Sequence, residues 1–182
     1  MGTSFVEYKG FGFWTRDAFL ESWLTTLLDE LKTVPKLEPW QESLARHWRD
    51  QSAIDAGCMS IGLDDFITND ARKAAVLSLA RNALARTDPM AHRTAAFDNV
   101  RTTQPKSPYV DELRWLLSPE GADPGEIIAA LSGPDERRRK IAAAAAYRLA
   151  KEDPAPLRYA TSIEDPEVAQ FAGDMLKRVG PS

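Results

Sequence analysis

Three groups of residues in this chain have types and spacings that could do chemistry. His47, with Asp50 three residues on and Asp64 and Asp65 in the next connection, could form a His/carboxylate centre. Such a centre holds a metal ion or moves protons in a small metal-dependent hydrolase. The same residues also read as a polar histidine at the edge of Trp48, hydrogen-bonded through one ring nitrogen. A metal centre built on a helix wants further ligands at helical spacing, such as two histidines four apart, whereas His47 and His92 are the chain's only histidines. Cys58 is the single cysteine. Nothing near it supplies a histidine partner or an oxyanion hole, so it reads as a buried apolar thiol.

The second group is aromatic. Residues 5–14 run Phe5-Val6-Glu7-Tyr8-Lys9-Gly10-Phe11-Gly12-Phe13-Trp14, without a helical period, which predicts an extended arm or one short strand. A lone strand is unstable in water, so the arm must lie on the chain's own helices or pair with another chain. The third group is the basic run Arg137-Arg138-Arg139-Lys140. It spans a full helical turn, so it reads either as a solvated helix edge or as an anion-docking patch, and not all of it can face one partner. Aromatic residues and arginine dominate interface hot spots. Tyr8, Phe11, Phe13, Trp14, Arg137 and Arg138 are therefore the candidate partner contacts. No phosphate loop, dinucleotide fingerprint or Gly-x-Ser-x-Gly elbow occurs, so no catalytic residue and no cofactor is assigned.

Composition narrows the class. The 182 residues are 43% hydrophobic and 27% charged, as in ordinary globular chains. The formal net charge is −4, a poor match to nucleic acid. No apolar run is long enough to cross a membrane. Aromatic and charged residues interrupt every apolar stretch near the N-terminus, so no secretory leader is expected. One cysteine suits a reducing cytoplasm.

The elements that must position these groups are helices. Apolar residues at Phe19, Leu20, Trp23, Leu24, Leu27, Leu28 and Leu31 predict a helix N-capped by Thr15 or Asp17 and stopped by Pro35. A second helix opens at Pro39 and runs to about Asp55, with Trp40, Leu44 and Trp48 aligned and Glu42, Arg46 and Asp50 on a solvent side. Residues 57–69 read as a connection. A third helix, capped by Thr68, Asn69 or Asp70, reaches about Arg86. Turn and PPII chemistry dominates residues 87–107, which predicts a flexible connection. Ser107-Pro108 starts another helix, and Asp123-Pro124-Gly125-Glu126 predicts a capping box ahead of a short helix to Leu131.

Sliding the chain on itself by 30 residues pairs Ile127 with Leu157, Asp135 with Asp165, Ala142 with Ala172 and Leu149 with Val179. Each copy is a short helix, a turn ending in a capping Asp, then a longer helix. Asp165-Pro166-Glu167-Val168, followed by Ala172, Leu176, Val179 and Gly180, resembles the second helix of a HEAT-like repeat, and Ile141 to Ala146 is similar to the same helix one unit earlier. The resemblance covers about residues 124–180. Arg138 stands where the later copy has Val168, and two units are fewer than the three or so that stacked repeats normally need.

The resulting expectation is an all-α, HEAT-like stack with an aromatic arm. The parts are an arm over 1–14, an N-terminal helical lobe over 15–86, the connection over 87–107 and a HEAT-like part over 108–182, within one compact domain. The alternation of helices with a plausible curved surface, alongside the missing catalytic motifs, points to a non-catalytic protein-binding or adaptor protein, and the small, acidic composition permits an immunity-type neutraliser of a toxin or effector as its narrower form. The small hydrolase using His47 is the alternative. The alanines at 142, 145 and 146 predict close helix approach, so Ala145→Leu should lower stability by about 1–3 kcal/mol in urea unfolding through overpacking.

Overall fold

Strand alternation begins the chain. The computed structural model describes residues 3–53, 59–86 and 110–180. Cys58, His92, the 87–107 connection and the Ser107-Pro108 helix start lie outside those residues. Strand β1 is Thr3–Tyr8 and β2 is Phe11–Arg16. Lys9 and Gly10 join them at φ 53° and 76°. Two consecutive positive φ values are the mark of a two-residue I′ hairpin turn. The expected single strand is thus a hairpin. Its turn escaped notice because Lys9 takes the place usually held by Asn, Asp or Gly. Ser4, Val6, Tyr8, Phe13 and Thr15 alternate inward and are all buried, while Trp14 is 57% exposed.

The chain divides into two compact units, and the division does not follow linear order. The first comprises residues 1–4 and 16–111, the second residues 5–15 and 112–182. The expected arm therefore groups with the C-terminal helices. The strands form one sheet in the order β2-β1-β3, where β3 is Ser60–Gly62. The architecture is mostly helical with this small sheet added to it.

In the first unit, α1 (Asp17–Leu31) buries Leu20, Trp23, Leu24, Leu27 and Leu31 and packs on α2 (Pro39–Ser52) and α3 (Asp70–Arg86). Arg16 occupies the N-cap of α1 with no side-chain cap bond. Thr15 and Asp17 are therefore not caps: Thr15 is buried in β2, and Asp17 opens the helix and accepts a hydrogen bond from the Ser4 hydroxyl. The same Ser4 oxygen accepts the Met59 N–H at 2.9 Å, so a fully buried serine is satisfied on both sides. A capping box between Glu38 and Gln41 starts α2. Asn69, among the three caps expected for α3, takes the Arg72 N–H at 2.9 Å. Residues 60–62 make a strand inside the expected connection, with Ile61 buried. Three residues are too few to show a period.

In the second unit, α4 is Val110–Leu117, counted here from Glu112, and a short 3₁₀ turn covers Pro119–Gly121. Then come α5 (Pro124–Leu131), α6 (Glu136–Leu149), α7 (Ala155–Ala160) and α8 (Pro166–Val179). Within each pair, α5 packs on α6 and α7 on α8. Between pairs, α5 packs on α7 and α6 on α8. Ile127, Leu157, Ala142 and Ala172 are all fully buried, so these two pairs of the 30-residue shift occupy core positions, whereas Leu149 is buried and its counterpart Val179 only half-buried. Asp135 and Asp165 cap α6 and α8 through the Arg138, Glu167 and Val168 N–H groups. The capping box at Asp123 is not formed as expected. Asp123 takes the Gly125 N–H at 2.9 Å, and Glu126 pairs with Arg114, because an arginine within reach is a stronger partner than a single N–H.

The hairpin meets these helices through Phe11, whose ring lies 6.2 Å from that of Tyr147 and under the Arg148 guanidinium. Among the described residues no helix is long and apolar enough to cross a membrane. A Cβ at Gly12 would collide with the Val6 carbonyl and the Phe5 ring, so the close approach of the two strands demands glycine. Gly12→Ala should cost about 1–3 kcal/mol in urea unfolding, whereas Gly62→Ala, at a position with open space, should cost less.

Candidate functional site

The capping chemistry of the two helix pairs also builds the molecule's groove. The turn Ser132-Gly133-Pro134-Asp135 follows α5, and its counterpart Ser162-Ile163-Glu164-Asp165 ends in the cap of α8. They line one open groove of about 790 Å³, together with Leu131, Tyr159 and Arg139. Tyr159 stands on α7, is 38% exposed, and shares a 2.6 Å hydrogen bond between its hydroxyl and Ser132 Oγ. That bond ties the first turn to α7.

Arg139 reaches both turns. Its Nη1 donates to the Gly133 carbonyl at 2.8 Å and its Nε to Asp165 at 3.0 Å. Burial pushes the Asp165 carboxyl upward, but the Arg139 hydrogen bond and the Val168 and Glu167 N–H groups outweigh it and hold the carboxyl below its ordinary 3.8. Lys140 bonds both Glu136, at 2.8 Å, and Glu167, at 2.7 Å. These two bonds hold its ammonium above the usual lysine range.

The basic run is therefore neither a solvated edge nor a free patch. Arg137 pairs with Asp135 at 3.2 Å and approaches the buried Glu112 at 3.8 Å. Arg138 lies 3.9 Å from the same carboxylate and over the Trp115 ring. The run divides: Arg137 and Arg138 point back to α4, Arg139 and Lys140 forward to α8. A full helical turn of cations suits this, because its two halves face opposite neighbours.

The other expected site residues scatter. Tyr8 and Phe13 are 1% and 2% exposed and serve the core, not a contact surface. Phe11 is half-buried against Tyr147. Trp14 is exposed, its ring 4.7 Å from that of Phe5. In the first unit the His47 ring packs 5.1 Å from Phe66. The Phe66 carbonyl accepts from Arg72, whose guanidinium also covers Trp40. His47 Nε2 is buried with no hydrogen-bond partner. Burial lowers the imidazole below 6.5, outweighing the opposing charges of Asp50 and Asp65. Asp50, Asp64 and Asp65 are exposed, and among the described residues no group of three or more His, Cys, Asp or Glu side chains could hold a metal ion.

The groove residues Tyr159 and Glu164 were not anticipated. The signal was in the repeat: Tyr159 falls 30 residues after Ala129, and Glu164 after Pro134. The two copies agree inside and differ at these exposed positions. Comparisons with protein-family models, with curated proteins and with solved structures find no match.

Two outcomes follow from the titrating groups. Asp165 has a depressed folded-state value, so its stabilisation is complete above 3.8 and disappears as pH falls from there through the lower folded value. Arg139→Met should cost about 1–3 kcal/mol at neutral pH and flatten this acid limb, as read from urea midpoints across pH. The His47 ring should titrate below 6.5 by NMR, and its contribution, also from a depressed group, is lost as pH drops.

Proposed function

We propose that this chain is a non-catalytic protein-binding or adaptor protein, with its C-terminal helix pairs stacked in the HEAT-like manner. The observation that carries this reading is the open groove across the two inter-helix turns, with an exposed tyrosine in its lining. Side chains of such a groove are available to a partner without unfolding anything. Two of the polar groups there have structural work: Asp165 caps a helix, and Arg139 links the pairs. Support for the stacking is the pairwise packing of α5 on α7 and α6 on α8, with matched buried residues at each step. Neutralisation of a toxin or effector is the narrower form of the same reading.

Trp14 is the second exposed aromatic, and it allows a comparison within one protein. Affinity capture from the native host, read by quantitative mass spectrometry, should enrich a protein partner with the unaltered chain. Tyr159→Ala should lower that enrichment about tenfold, the loss of roughly 1.4 kcal/mol expected for an interface aromatic. Trp14→Ser should leave it in place. Equal recovery with the Tyr159 variant would remove the groove from the binding surface, and recovery of no protein above background would end the adaptor reading.

A further inference from the structure

The carboxylates lining the groove outnumber the cations that serve them. Asp165 is committed to Arg139 and to two backbone N–H groups. Glu136 and Glu167 share one ammonium, that of Lys140. Glu164 is exposed and has no ion-pair partner among the described residues. Beside these acids lie the half-buried side chain of Ile163 and the ring of Tyr159. The tyrosine hydroxyl is already bonded to Ser132, so the ring is what remains for a ligand.

This lining matches a cation on an aliphatic stem. The stem covers apolar side chains while the charged head meets carboxylate and ring face. A guanidinium fits better than an ammonium because it is planar, stacks on aromatic faces, is more weakly hydrated and bonds carboxylates through two N–H groups. The volume of about 790 Å³ lies within the roughly 300–1,000 Å³ span of ligand pockets and exceeds one side chain, so flanking residues enter too. Resting on the protein-binding reading above, we infer that the groove receives an arginine-bearing segment of the partner protein, its guanidinium placed between Tyr159 and Glu164.

The test uses the full chain, ¹⁵N-labelled, titrated at low salt with a hexapeptide of alternating leucine, arginine and proline, and with the same peptide carrying citrulline for arginine. Citrulline keeps the planar head and removes the charge. The arginine peptide should shift the amide signals of Ser132, Glu136, Tyr159 and Glu164 in a saturable way, and the citrulline peptide should bind at least about fivefold more weakly. Glu164→Gln, a conservative change at an exposed position, should produce a similar weakening with an unchanged circular dichroism spectrum. Added salt should weaken the arginine peptide more than the citrulline one. Equal affinity for the two peptides, shifts confined to other regions, or no saturable shift would overturn the proposal. Tyr159-dependent capture of a partner in that event would leave the protein-binding reading standing, with a different docked chemistry.

Discussion

Arg139 holds the second unit together at its turn end. One guanidinium bonds the carbonyl that closes the first inter-helix turn and the carboxylate that caps the helix of the next pair. Asp165 thereby does two jobs, and one side chain joins the two turns. A capping aspartate alone satisfies orphan N–H groups of its own helix. Joined to an arginine from the neighbouring helix, it also fixes where that helix begins relative to its neighbour. The groove is a consequence, because holding the two turns at a set spacing leaves space between them that neither fills.

Alanine controls the same contact further along the helices. Ala142, Ala145 and Ala146 on α6 are essentially inaccessible, as is Ala172 on α8. Small side chains allow helix backbones to approach near the short end of the packing range, and α6 and α8 do pack together, with Lys140 paired to Glu167 and Arg139 to Asp165 at that end. A basic run at a helix N-terminus is unfavourable on its own. Here it is offset by carboxylates on two elements: Glu112 of α4 lies beside Arg137 and Arg138, and Asp165 and Glu167 at the start of α8 pair with Arg139 and Lys140. The buried Glu112, 1% exposed, has the Arg137 and Arg138 guanidiniums beside it for the same reason.

Much of the helical framework was legible. The apolar comb of α1, the proline opening α2, the Asn69 start of α3 and the two Asp caps each rest on interactions within a few residues. The 30-residue shift correctly paired Ile127 with Leu157 and Ala142 with Ala172. Less legible were the hairpin, whose left-handed Lys9 is an uncommon turn residue, and β3, which is too short for a pattern. Glu126 left its expected box for Arg114, a residue twelve positions away. Tyr8 and Phe13 were credible contact residues by type, and burial turned them into core. The groove's Tyr159 and Glu164 were visible only as places where the two copies disagree.

Local physical chemistry is why the sequence alone determined most of the helices and the Asn69, Asp135 and Asp165 caps: these depend on side chains one to four residues apart and on apolar period. Tertiary structure decided which charges pair, which aromatics are buried, and that residues 5–15 group with residues 112–182. Those outcomes join residues far apart in the chain, and no spacing rule encodes a distance between turns that meet only after the helices have packed.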